Sequence, residues 1–116
     1  MIVKDPEIYL KSILDSIELI EKRTKNKTRE QFIDSIDLQD MVIRRLELIG
    51  EAVRQLPVEF RKEHVVINWQ DPAGMRSVLI HGYLDVDLNV VWDTVVKDLP
   101  TFKNQIASLF KKLGIS

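Results

Sequence analysis

Apolar residues along this chain recur three and four positions apart, the spacing of one face of an α-helix. From Asp5 to about Thr24, the apolar positions Ile8, Tyr9, Ile13, Ile17 and Ile20 follow helical spacings. Asp5 is placed to cap that helix and Pro6 to fill its first turn, where a missing N–H costs nothing. The polar run RTKNKT, Arg23 to Thr28, reads as a connector, with Thr28 or Asn26 capping the next helix. A longer helix is expected from about Arg29 to Leu56, carrying Phe32, Ile36, Met41, Val42, Leu46, Ile49, Val53 and Leu56 on one wide stripe until Pro57 stops it. Gly50 lies inside that stripe, where close packing against a neighbour would offset the roughly 1 kcal/mol it costs relative to alanine.

A short helical turn is expected over Val58 to Glu63. The stretch HVVINW, His64 to Trp69, is locally β-rich but is read as a loop, because one strand has no partner elsewhere in the pattern. Asp71-Pro72 repeats the cap-and-proline signal and opens a short helix to about Ile80 or His81, weakened near its end by Gly82. Asp87 caps a final helix from Leu88 to about Leu113, with Val91, Trp92, Val95, Leu99, Phe102, Ile106, Leu109 and Phe110 facing the core and Gly114 closing it. Pro100 should kink or divide that helix. Four or five helices with short connections predict an all-α, antiparallel, up-and-down bundle.

Composition narrows the function. A length of 116 residues fits one domain, 1–116, with no internal repeat or inter-domain linker. The chain is 45% hydrophobic and 30% charged, and no apolar run approaches the roughly 18 residues of a membrane span. The N-terminus MIVKDPEIYL lacks a secretory pattern, so a soluble, cytoplasmic protein is expected. Zero cysteines exclude disulfides and thiolate metal sites. Seventeen Lys and Arg against eighteen Asp and Glu give a net charge of -1, so any affinity for nucleic acid has to be local.

The stretch from Gly74 to Tyr83 concentrates the candidate chemistry: Arg76, His81 and Tyr83. On a continuous helix Arg76 and Tyr83 would lie about 20° apart and His81 about 140° from Arg76, so convergence needs the helix to end at Gly82 or a second subunit to complete the site. RNA cleavage requires a base for the 2'-hydroxyl proton, an acid for the leaving 5'-oxygen and a cation for the charge on phosphorus. Histidine suits both proton roles near neutral pH, and the arginine fork suits the phosphoryl oxygens. One histidine cannot be base and acid in the same step, so a two-fold dimer pooling two copies of Arg76 and His81 is chemically attractive and calls for no metal. Read bottom-up, these residue types are more often a helix-end histidine, a solvated or salt-bridged arginine and a core or interface tyrosine than a catalytic set.

Arg76-x4-His81-x-Tyr83 resembles the R-x4-H-x-Y signature of HepT toxins in the HEPN superfamily. The likeness extends through DPEIYLKSILDSIELI, RRLELIGEAV, INWQDPAGMR, LIHGY and VDLNVVWDTVVKDLP, in that order along the chain; the connector around Lys25 is the least characteristic part. The resemblance implies a homodimer of four- to five-helix subunits that cleaves RNA without metal or other cofactor. Arg76 and His81 of both subunits would be catalytic in a composite cleft. It also implies a cognate minimal nucleotidyltransferase antitoxin that transfers AMP onto Tyr83, adding bulk and negative charge that block the cleft. HEPN nucleases commonly carry Asn, Asp or His directly after the arginine; Ser77 stands there, a supporting candidate whose hydroxyl has a shorter reach.

Other residues have ordinary explanations beside functional ones. His64 is a second proton carrier or a surface histidine. Arg44, Arg45 and Arg54 line an RNA groove or pair with Asp40, Glu47 and Glu51 on a helix surface. Trp69 and Trp92 stack on bases or pack a core. The activity implied is a metal-independent endoribonuclease toxin acting on RNA, transfer RNA before messenger RNA. The alternatives are a non-catalytic HEPN module that binds a nucleotidyltransferase, and a purely structural helical dimer.

Overall fold

The computed structural model describes residues 5–70 and 86–114. Among these residues the regular structure is entirely helical. The first helix, α1 (Pro6–Thr24), starts as its sequence signals require: the Asp5 carboxylate accepts the Glu7 N–H at 3.0 Å and Pro6 fills the first turn. Leu10, Ile13, Ile17 and Ile20 are fully buried on its inner face. Ile8, expected in this stripe, is 65% exposed. It precedes Ile13 by five residues, about 140° around a helix, whereas Leu10 precedes it by three and takes the inward position.

The long helix expected over Arg29 to Leu56 is two helices, α2 (Arg29–Ile33) and α3 (Ile36–Gln55). Thr28 caps α2 in a reciprocal box: its hydroxyl accepts the Gln31 N–H at 3.1 Å, and its own N–H donates to the Gln31 side chain at 2.8 Å. The break falls at Asp34-Ser35, residue types whose short polar side chains compete with helical backbone bonding. Ser35 becomes the cap of α3, accepting the Leu38 N–H at 3.2 Å. The Gln39 amide donates to the Phe32 and Ile33 carbonyls at 3.0 and 2.8 Å, joining the Ser35 N–H on the first of them at the end of α2. The interruption removes Ile36 from the core stripe, and it is 72% exposed.

Val42, Leu46, Ile49, Ala52 and Val53 bury one side of α3, which packs along α1; Gly50 is buried among them. Leu56 turns extended ahead of Pro57, as the residue before a proline prefers. The short helix α4 (Val58–Glu63) follows, and His64 to Trp69 runs on as turns without a strand. After residue 85 the chain forms α5 (Leu88–Asp93), a π-helical turn over Thr94–Asp98, and α6 (Leu99–Leu113), which ends at Gly114 with φ 73°. Pro100 has no N–H for the Val96 carbonyl four residues back. The expected disturbance is therefore present as a widened turn just before the proline, with the Leu99 N–H bonded to the Thr94 carbonyl five residues back.

The core is formed by the inner faces of α1, α3 and α6, together with Phe32, Trp92, Ile67 and Trp69. Phe32 stacks on Trp92 with centroids 5.2 Å apart, and Trp69 meets Phe102 edge-on at 6.0 Å. Each fully buried aliphatic side chain contributes about 1.5–3 kcal/mol, so this interior is the main source of stability. No helix of the described residues is long and apolar enough to cross a membrane.

Candidate functional site

Arg76, Ser77, His81 and Tyr83 lie outside the described residues, as do the Asp71-Pro72 helix start and Gly82. The structure describes the frame on either side of them, the chain just before residue 71 and just after residue 85.

On the upstream side α4 and its turn bring the aromatic residues together. Trp69 is buried, 8% exposed, and its indole N–H donates to the His64 carbonyl at 3.1 Å. Its ring lies against Phe102 of α6 and Phe60 of α4, the latter at 6.4 Å. The Asn68 side chain accepts the Gln70 N–H at 3.2 Å. His64 is half-buried, with its ring 4.6 Å from that of Phe60, so it packs as part of the aromatic group. Both tryptophans belong to the core, which answers the question their sequence left open.

On the downstream side Val86 and Leu88 pack against the core, and the Asp87 carboxylate caps α5, accepting the Asn89 N–H at 2.9 Å and the Val90 N–H at 3.4 Å. Arg29 reaches across from the start of α2. Its guanidinium donates to the Asn89 carbonyl at 3.3 Å, to the Asn89 side chain at 3.0 Å and to Asp93 at 2.6 Å. Lys97 stands 3.8 Å from the same carboxylate. The hydrogen bond from Arg29 holds the Asp93 carboxyl below its ordinary value; partial burial opposes this, and the charges of Arg29 and Lys97 reinforce it. Arg29 carried no local signal, because its partners lie 60 and 64 residues away in sequence.

Between α3 and the α5–α6 run is a cleft of about 440 Å³. Leu46, Ile49 and Phe102 line it with apolar surface, and Asp93 and Lys97 add charge. Asn68 and Val90 also border it, so it adjoins both points where the chain leaves and rejoins the described residues. Of the α3 arginines, Arg44 pairs with Glu47 at 3.7 Å as an ordinary helix-surface contact, while Arg45 is half-exposed and Arg54 exposed. Among the described residues no three His, Asp or Glu side chains are grouped to hold a metal ion.

Residues 13–109 match the family model described as Ribonuclease HepT-like. The chain is 50% identical over 110 residues to a protein of Methanocaldococcus jannaschii named "Gamma-glutamylcyclotransferase and putative RNase". That match takes in 95% of this chain and 50% of the relative, so the chain spans about half of that protein's length. It is 43% identical over 103 residues to the "Probable ribonuclease HepT" of Thermococcus cleftensis, covering 89% of this chain and 94% of that one. No solved structure gives a match.

Proposed function

Because the chain belongs to the Ribonuclease HepT-like family, we propose that it is a metal-independent endoribonuclease toxin whose site is completed by a second copy of the chain. The observation that carries this reading is the family match over residues 13–109, a span within which the sequence carries Arg76, His81 and Tyr83.

In the proposed reaction the 2'-oxygen attacks phosphorus while His81 of one subunit takes its proton. The bond from phosphorus to the 5'-oxygen breaks, and that oxygen takes a proton from the symmetry-related His81. The products are a 2',3'-cyclic phosphate and a 5'-hydroxyl. The paired Arg76 guanidinium groups stabilise the charge that builds on the phosphoryl oxygens. These are proton transfers and charge stabilisation, which these side chains supply without a metal. Ser77 offers a hydroxyl beside Arg76 in place of the longer side chains usual there, and lower turnover is the expected consequence.

The switch is proposed at Tyr83. Its phenolic oxygen attacks the α-phosphorus of ATP bound to a partner nucleotidyltransferase, pyrophosphate leaves, and the attached AMP places phosphate against Arg76. RNA, transfer RNA first, is the proposed substrate, and the cytoplasm the proposed compartment.

The test is cleavage of RNA in the presence of EDTA. Wild type is expected to cut, and His81→Ala or Arg76→Ala to lose about 10²–10⁴-fold in rate, the usual range for a lost acid–base or electrostatic group. Equal cleavage by wild type and both variants would remove the catalytic assignment, and no cleavage by wild type would favour the non-catalytic partner-binding module that Ser77 leaves open. For the switch, intact mass is read after incubation with the nucleotidyltransferase, ATP and Mg²⁺. AMP additions that persist in Tyr83→Phe would assign the modification elsewhere.

A further inference from the structure

The connector after α1 has no place in the proposed chemistry. Within residues 22–28 the chain carries Lys22, Arg23, Lys25 and Lys27 and no Asp or Glu, in a protein whose net charge is -1. All four cations are exposed. Among the described residues the ion pairs go to other cations: Lys11 with Glu7, Arg29 and Lys97 with Asp93, Arg44 with Glu47, and Lys103 with Glu21. The nearest preceding carboxylate, Glu21, is thus taken up by Lys103 of α6 at 2.7 Å.

The connector is also an ordered turn. The Lys25 N–H donates to the Glu21 carbonyl and the Lys27 N–H to the Thr24 carbonyl, each at 2.9 Å, while Asn26 takes a left-handed conformation with φ 63°. Asn and Asp adopt that conformation at lower cost than other side chains. The Thr28 capping box then fixes the start of α2. Lys22 and Arg23 have a structural role as well, since cations in the last turn of α1 complement its dipole. Lys25 and Lys27 lie beyond that turn. Clustered like charges raise the energy of the folded state unless an anion offsets them.

The location supplies the rest. Arg29, two residues after Lys27, is bound to Asn89 and Asp93 of α5, the helix that receives the chain directly after the stretch bearing Arg76, His81 and Tyr83. Resting on the RNase reading above, we propose that Lys22, Arg23, Lys25 and Lys27 form a contact surface for the RNA phosphate backbone, holding the strand on the α2–α5 side of the subunit and adding affinity without taking part in chemistry.

The test compares wild type with a variant carrying Lys22→Gln, Arg23→Gln, Lys25→Gln and Lys27→Gln, and with Lys11→Gln as a control about three turns earlier on α1. Binding is measured by fluorescence anisotropy on a short 2'-O-methyl RNA, which lacks the nucleophilic hydroxyl, across a salt series. The expected result is a loss of about tenfold or more in affinity and a salt slope shallower by up to ~3, about 0.7 for each single-strand phosphate no longer neutralised. Replacing Lys22, Lys25 and Lys27 by Arg should restore both, and Lys11→Gln should change neither. On cleavable RNA the quadruple variant should show a raised KM with kcat retained. Wild-type affinity and slope in a folded quadruple variant, checked by circular dichroism, would overturn the proposal. Equal Lys-dependent binding to polyglutamate or to anionic vesicles would overturn it too, by reassigning the patch to an acidic protein or a membrane surface. If wild type binds RNA in this Lys-dependent way yet does not cleave it, the nuclease reading fails and the contact surface stands.

Discussion

Two anchors flank residues 71–85, and they work by different physics. Upstream, Trp69 is held by burial, by the edge of Phe102 and by one indole hydrogen bond to the His64 carbonyl. Downstream, α5 is held at its exposed side by the Asp87 cap and by the Arg29 contacts to Asn89 and Asp93, with Arg29 and Asp93 side chains 40% and 41% exposed. The first kind of anchor draws on removal of apolar surface from water, which is large and is not screened by salt. The second draws on charge and hydrogen bonds in a solvated setting, which are weaker and screened.

The largest expected effect separates them most sharply. Trp69→Ala should cost about 3–5 kcal/mol, the usual loss for a buried large aromatic, measured by urea unfolding, and the loss should not shrink as salt is raised. Asp87→Ala should cost about 1 kcal/mol through the α5 cap. Arg29→Ala should lower Tm by less than Asp87→Ala, and the difference from wild type should shrink as salt is raised. A loss for Arg29→Ala that equals that of Trp69→Ala, or that ignores salt, would erase the contrast.

The smallest effect is one of pH. The Asp93 carboxyl is held below its ordinary value first by the hydrogen bond from Arg29, so the stability it adds is complete above the ordinary carboxylate range and disappears as pH falls through the lowered value. The Tm difference between wild type and Arg29→Ala should accordingly be flat from neutral pH down to that range and close below it. Lys103 has the opposite sign. Its hydrogen bond to Glu21 raises it above the ordinary lysine value, so its contribution is complete below the lysine range and fades as pH rises through the raised value. An alkaline melt of Lys103→Met against wild type reads that directly.

How much of this frame the sequence disclosed depends on how local each signal is. The Asp5, Thr28 and Asp87 caps were readable because cap and capped N–H are two or three residues apart. Pro57, Pro6 and Gly114 act within a turn of themselves, and their boundaries stand where the pattern places them. The break at Asp34-Ser35 was missed because the apolar stripe runs on through Phe32, Ile36 and Val42, and periodicity outweighed the polar pair. Gln39, bonded back to Phe32 and Ile33, was the overlooked sign. Ile8 falls off the stripe because its five-residue step to Ile13 turns about 140° around the helix. For the site, Arg76, Ser77, His81 and Tyr83 were legible as a motif, and only as that. The Arg29 contact to Asn89 and Asp93 was beyond local reading, since nothing near Arg29 names partners on the far side of the fold.

The widened turn over Thr94–Asp98 changes how the C-terminal stripe is spent among its neighbours. Written on a plain helical wheel, Val91, Trp92, Val95, Leu99, Phe102, Ile106 and Leu109 share one arc, as though they faced a single partner. A turn holding one extra residue sets everything after it back by roughly 100° relative to that wheel. Trp92 accordingly meets Phe32 on one side, while Phe102 meets Trp69 on another. One residue of surplus chain lets a single strut reach both aromatic partners, Phe32 and Trp69.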